Sequence, residues 1–375
     1  MRKTATVLAS LAVGLASIAA APLATAVSGD VRFTNLTTAD GLGANNVYSL
    51  YVTGSTLYVA TSGGLSISTD GGSTFTNKTT SNGLGNDSVK GVWVSGSNVY
   101  AATLGGLAIS NNGGSSFTNK TTSNGLGNNV VNGVFANGSD VYAATQSGLA
   151  ISTTGGAAFT NKTSSNSGLA NNVVKGVFAS GGTIYAATAA GLGISTDGSA
   201  SFSSRTTSDG LGSNTLYSVF ARGSNVYVGT SGGVSISTNG GATFTNYTTG
   251  LGSTSVQGIY VDTVGTIYAA TMSGLSISTD GGSTFTNYTI AEGLGSNFTY
   301  AVAASGDTIY VGSSGGLSIS FSPASATPIP MWQQAIARAS GTETCPEDYT
   351  PSWAQWPNNG TGGFVCNKFV PMYGS

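Results

Sequence analysis

The sequence predicts an all-β fold: a seven-bladed β-propeller of four-stranded blades, closed by its own N-terminal strand. Three observations predict it. Gly-Leu pairs begin at Gly41, Gly83, Gly125, Gly168, Gly210, Gly250 and Gly293, in steps of 40 to 43 residues. Each interval holds four short β-type runs separated by Gly and Asn, the residues that tight turns require. The seventh interval lacks its fourth run, and a matching run stands before the first interval. A period near 40 with four strands is that of a propeller blade, whereas a parallel β-helix closes a turn in about half that length.

The second unit shows the plan, with runs over 88–94, 98–103, 107–110 and 116–121. The seventh unit runs through Ile309-Tyr310 and Leu317-Ser318-Ile319-Ser320, then breaks at Phe321-Ser322-Pro323. The segment Val31-Arg32-Phe33-Thr34-Asn35-Leu36-Thr37-Thr38 copies the fourth run of other units, such as Ser73 to Thr80. It is expected to complete the seventh blade and pair two otherwise open edges.

Period-two alternation orders the first strand of each unit. Eight residues after each leading glycine stand Ser49, Gly91, Gly133, Gly176, Ser218, Gly258 and Ala301, all small, as close approach near an axis demands. Two residues later come Tyr51, Trp93, Phe135, Phe178, Phe220, Tyr260 and Ala303, read as bulk between blades. The second strands repeat a tyrosine, from Tyr58 to Tyr310, read as packing.

Residues 1–26 read as an export signal: Arg2 and Lys3 precede an apolar run from Val7 to Pro22, and Ala24-Thr25-Ala26 supplies a small-x-small cleavage site. The mature chain is expected to begin at Val27, with no membrane span, because no later stretch approaches the ~20 apolar residues a bilayer requires. Removing Arg2 and Lys3 leaves 10 basic against 14 acidic residues, which excludes a basic field for nucleic acid. Only 7% of residues are charged and 57 are glycine, so Ser, Thr, Asn and Gly must make the surface. The organisation expected is a signal peptide over 1–26, the propeller over 27–320, a proline-containing linker over 321–341 with a short helix from Met331 to Ser340, and a small module over 342–375.

The turns Ser68-Thr69-Asp70-Gly71-Gly72-Ser73-Thr74-Phe75 and Ser278-Thr279-Asp280-Gly281-Gly282-Ser283-Thr284-Phe285 resemble the Asp-box, or BNR repeat, of sialidase-like propellers. Ser195 to Phe202 departs at the second glycine, and Asn112, Thr154 and Asn239 replace Asp in other units. The resemblance implies a folding turn remote from any active site. Those substitutions and the lack of a second carboxylate argue against calcium. Stretches such as Ile184 to Leu192 resemble the propeller repeats of two-component regulator sensors. Both resemblances speak for fold and hardly for function.

A sialidase-like site implies clustered arginines, a tyrosine nucleophile and a paired glutamate. Arg32 and Arg205 fall on outer strands, Arg222 follows an inner one, and Glu292 lies in a connection. Histidine is absent, which removes the usual general base. No catalysis, cofactor or metal site is expected.

Binding is the more economical expectation. Four residues after each leading glycine stand Asn45, Asp87, Asn129, Asn172, Asn214, Thr254 and Asn297, a polar rim whose uniformity suits loop conformation; Asp87 is its one carboxylate. Three residues on, the chemistry diverges to Tyr48, Lys90, Asn132, Lys175, Tyr217, Gln257 and Tyr300, with Leu104, Gln146 and Met272 expected on the same face. A position that varies inside a monotonous repeat is either a ligand seat, suited to a sugar or peptide, or neutral drift. Six outer-strand Asn-x-Thr triplets are read as strand residues whose Asn and Thr face water.

At the C-terminus, Cys345 and Cys366 are expected to form a disulfide around Trp353 and Trp356. The string from Pro351 to Asn358 resembles short Cys-stapled tails of exported, actinobacterial-type surface proteins. It either attaches to envelope or sugar polymer by stacking on Trp353 and Trp356, or folds over the propeller edge. The function expected is a secreted or surface-displayed, non-catalytic propeller that binds a glycan, an envelope polymer or a protein; the alternatives are a structural envelope component and a degenerate glycoside hydrolase.

Overall fold

The computed structural model describes residues 31–321, 349–355 and 362–368. Seven four-stranded antiparallel sheets form the ring. Blade 2 is typical, with strands Val89–Ser95, Asn98–Thr103, Gly106–Ser110 and Thr118–Lys120 running from inside to outside. The first strands touch in cyclic order, and Val47–Thr53 of blade 1 meets Thr299–Ser305 of blade 7. The outer strands of blades 1 to 6 are three residues long, shorter than their sequence runs, because the box turn takes up the residues before them.

The split repeat closes as its sequence demands. Arg32–Leu36 pairs antiparallel with Gly316–Phe321, with Arg32 opposite Phe321 and Leu36 opposite Leu317. Phe33 is buried among Tyr268, Tyr288, Leu294 and Val302, which belong to blades 6 and 7, and meets the Tyr288 ring at 6.5 Å. Leu36 packs beside Leu57 and Tyr310 of blades 1 and 7. One strand therefore joins three blades.

The second-strand tyrosines, Tyr58 to Tyr310, are all buried, as their uniformity implies. Five of the seven connections between blades hold a short 3-10 turn that the sequence pattern did not disclose, ended by a left-handed glycine such as Gly83 at φ +96°; the connection into blade 4 holds the short helix Ser164–Ser167 instead. From blade 2 to blade 6 the residue ahead of that glycine, or Thr249 in blade 6, accepts a bond from the blade's box phenylalanine, as Asp209 O does from Phe244 N at 2.8 Å.

In the box turns, Asp70 accepts from the Thr74 hydroxyl at 2.6 Å and its backbone N–H at 2.9 Å, and from the Ser68 hydroxyl at 2.7 Å. Those donors, the Thr74 hydroxyl first, lower the Asp70 pKa to about 2; Ser201 and Thr284 do the same for Asp197 and Asp280. A depressed folded-state pKa gives stability that is present above the ordinary value near 3.8 and is lost as pH falls toward about 2. The melting temperature is therefore expected to drop across that interval. In an Asp70→Asn, Asp197→Asn, Asp280→Asn variant the drop should flatten, since Asn112 and Asn239 already hold the same turn. An acid limb of equal steepness in both proteins would count against this origin.

The Asn-x-Thr asparagines do not simply face water, contrary to the sequence reading. Five of the six reach back to the turn between strands two and three of their own blade, as Asn119 Nδ2 donates to Gly105 O at 2.9 Å and Asn35 Nδ2 to Gly315 O at 2.8 Å, whereas Asn77 Nδ2 donates to Gly41 O at 2.9 Å in the connection before blade 1. Four Oδ1 atoms accept from a third-strand serine, such as Ser66 or Ser276. In blades 2 and 3 that serine is Ala108 or Ala150, and Asn119 Oδ1 and Asn161 Oδ1 are buried without a partner. Ala108→Ser and Ala150→Ser are expected to stabilise by about 1 kcal/mol each, since an unmet buried acceptor costs about that or more. Chemical denaturation would read it, and a loss of stability would show that the pockets reject the hydroxyl.

Beyond the ring, Tyr349–Gln355 and Gly362–Lys368 form an antiparallel hairpin. The expected disulfide, the stacking role of Trp353 and Trp356, the linker helix and the signal peptide all lie outside the described residues or side chains.

Candidate functional site

The site begins with a backbone irregularity repeated seven times. In every inner strand the ladder skips one residue: Val47 faces Thr61 and Ser49 faces Ala60, which leaves Tyr48 unpaired. The same bulge falls at Lys90, Asn132, Lys175, Tyr217, Gln257 and Tyr300. A bulge re-aims the side chain it carries. The variable ring thus coincides with the one position in each blade that the ladder does not constrain.

A buried residue precedes each bulge and a small one follows. Val47, Val89, Val131, Val174, Leu216, Val256 and Thr299 are fully buried and anchor the strand. The small residues let neighbouring inner strands approach: a Cβ on Gly258 would lie 2.6 Å from Tyr300 O. The axis is therefore narrow in backbone and open in side chains.

The seven inner strands enclose a central cavity of about 430 Å³. Tyr48, Lys90, Asn132, Tyr217, Gln257 and Tyr300 line it; Lys175 occupies the seventh bulge but is not part of the lining. The Tyr48 and Tyr300 rings lie 5.7 Å apart, and Lys90 Nζ sits 3.5 Å over the Tyr48 ring, a cation–π contact. Asn132 donates to Val174 O at 2.7 Å and accepts from Gln146 Nε2 at 3.2 Å, and Gln257 donates to the Ser255 hydroxyl. Among the described residues, Lys90 is the one charged member of the lining.

Deeper in, the aromatics read as inter-blade bulk form a belt, all of whose members but Phe135 line this cavity. Tyr51–Trp93, Trp93–Phe135, Phe135–Phe178, Phe178–Phe220 and Phe220–Tyr260 follow one another at centroid distances of 4.6 to 5.8 Å. Trp93 Nε1 donates to Ala136 O at 2.8 Å. At blade 7 the belt is interrupted by Ala303. Burial raises the Tyr51, Tyr260 and Tyr300 pKa values, so these phenols are neutral donors at ordinary pH.

Asp87 is committed elsewhere. Its Oδ1 accepts from Thr80 N at 2.7 Å, capping the connection's 3-10 turn, as Asn45, Asn129, Asn172, Asn214 and Asn297 cap theirs. The polar rim is loop structure, and Asp87 is not part of the cavity lining. Leu104, Gln146 and Met272 do share the mouth face, since each turn bonds back to the start of its own inner strand. Sequence reasoning missed Phe298, which is 52% exposed two residues before Tyr300 where other blades carry Asn, Ser, Val or Thr.

The arginines stay apart, as expected: Arg32 bonds Ala291 O, Arg205 bonds Gly241 O, and Arg222 bonds Asp262 O beside the turn between strands one and two. Glu292 caps Thr289. Among the described residues no group of three His, Cys, Asp or Glu gathers to hold a metal, and no helix is long and apolar enough to cross a membrane.

No family model and no curated protein matches this sequence. Solved structures do match in fold. The extracellular domain of a proposed hybrid two-component system, BT3049 from B. thetaiotaomicron, superposes with a TM-score of 0.66 at 19% identity, over 88% of this chain and 46% of that one. YCF48 bound to D1 peptide gives 0.58 at 16% identity, over 78% and 95%. The GH74 enzyme of Niastella koreensis gives 0.52 at 17%, over 79% and 44%. The chain thus spans less than half the length of that extracellular domain and of the enzyme, and its likeness to all three is one of fold, the β-propeller.

Proposed function

We propose that this chain is an exported, non-catalytic binding propeller whose ligand seat is the channel mouth ringed by the seven bulged side chains. The observation that carries the reading is the coincidence of two patterns. The bulge frees one residue per blade from the ladder, and that residue is where an otherwise monotonous repeat diverges in chemistry. Aromatic faces, amides and one ammonium converge on a cavity of about 430 Å³, a size suited to a sugar or a peptide segment. Among the described residues the lining carries no carboxylate, so hydrolysis by an acid–base pair finds no pair of groups there, which favours binding over catalysis. A sensor ectodomain and a peptide complex among the fold neighbours fit a glycan or a protein partner at a cell surface.

The test is a glycan and envelope-polymer array probed with the full chain and with a variant carrying Tyr48→Ala, Lys90→Ala, Lys175→Ala and Tyr217→Ala. Loss of a hundredfold or more in affinity with an unchanged melting temperature is expected. Retained binding would move the seat off the ring, and self-assembly with no soluble ligand would favour a structural envelope role.

A further inference from the structure

Six blades place an aromatic ring in the belt, and the seventh places Ala303. Ala303 thus lines the cavity wall with a methyl group where each other blade carries a ring. The Tyr260 hydroxyl crosses to blade 7 and donates to Ala304 O at 3.2 Å, so it stands beside this notch. Tyr51 of blade 1, which adjoins blade 7 on the other side, also lines the cavity. Above them the Tyr48 and Tyr300 rings pair, with the Lys90 ammonium on the Tyr48 face.

Resting on the binding reading above, we infer that the notch at Ala303 seats one pyranose ring of a carboxylate-bearing saccharide, whose carboxylate pairs with Lys90. Ring faces suit the C–H side of a pyranose, and the phenol hydroxyls with the Gln257 amide suit its hydroxyls. A phenyl side chain would fill the same space but leave those polar groups unmet, at a cost. The charge of the ligand follows from the lining: among the described residues Lys90 is its one charged member, and no acidic side chain there competes for the ammonium. A carboxylate reaching it gains a charge-assisted bond.

The experiment is titration calorimetry of the full chain with a panel of uronate oligosaccharides and their methyl esters, on the unaltered protein, Ala303→Phe and Lys90→Gln. The unaltered protein should bind a uronate at least tenfold more tightly than its ester. Ala303→Phe should lose at least tenfold for both forms while its melting temperature holds or rises, because the new ring completes the belt. Lys90→Gln should lose about tenfold for the acid and little for the ester. Equal affinity for acid and ester would overturn the carboxylate, and no binding across the panel would overturn the saccharide. Full affinity in Ala303→Phe alongside its loss in the four-residue ring variant would overturn the notch and leave the mouth as the seat. Full affinity in both variants would overturn the seat itself.

Discussion

Removal of residues 27–40 is expected to lower the melting temperature by 10 °C or more. The deletion takes away the whole outer strand of blade 7 and with it the contacts that Phe33 and Leu36 make to blades 6 and 1. Truncating a buried phenylalanine to alanine alone costs about 3–5 kcal/mol. Each kcal/mol moves the midpoint of a protein this large by about 2–4 °C. Phe33→Ala is the finer variant, since it keeps the ladder and removes one ring; it should show roughly half the effect of the deletion or more. Differential scanning calorimetry reads both, and an unchanged midpoint after deletion would mean that the ring does not depend on this strand for closure.

Gly210→Ala is expected to destabilise by about 3 kcal/mol, the sum of two independent penalties. The residue sits at φ +96°, where a side chain costs about 1–3 kcal/mol, and its new Cβ would lie 2.0 Å from Phe244 O, so the connection must shift. The shift pulls on the bond from Phe244 N to Asp209 O that pins the connection to the outer part of blade 5. Gly71→Ala is the control: φ is +74° and nothing lies within 4 Å of the added Cβ, so strain acts alone. Urea denaturation should separate the two by about 1–3 kcal/mol. Equal losses would show that the carbonyl contact relaxes at no cost.

Much of this fold is written in the repeat itself. The Gly-Leu period, the four β-type runs and the displaced copy at Val31 to Thr38 together specify blade number, strand number and closure, because each is a local pattern that only one closed ring satisfies. The site was partly legible for the same reason. Tyr48 and Lys90 stood out as departures from a monotonous column. Why they point into the channel was not legible, since a bulge is a fault in pairing between two strands and leaves no residue type of its own. Asp87 misled because a side chain that caps a turn and one that offers itself to a ligand look alike in sequence. The asparagines of the outer strands misled in the same manner: a water-facing reading overlooks a backbone carbonyl that accepts the amide, 14 residues away in the case of Asn119. Ala303 is a single break in an otherwise aromatic column and Phe298 the single aromatic in a column of Asn, Ser, Val and Thr, and their neighbourhood around blades 6, 7 and 1 emerges only when the ring is closed.

The closing strand also sets an order of events. Asn35 and Ser318 meet in the folded ring although 283 residues separate them along the chain. Contacts that distant are slow to form, because the ends of a long loop must find each other before any pairing rewards the search. A chain emerging from its N-terminus can assemble blades 1 to 6 from neighbouring residues while the segment around Phe33 waits unpaired. Until it docks, the third strand of blade 7 shows a bare backbone edge of the kind that recruits other chains. The interval between synthesis of residue 321 and capture of residue 32 is therefore the period in which this protein is most exposed to misassembly.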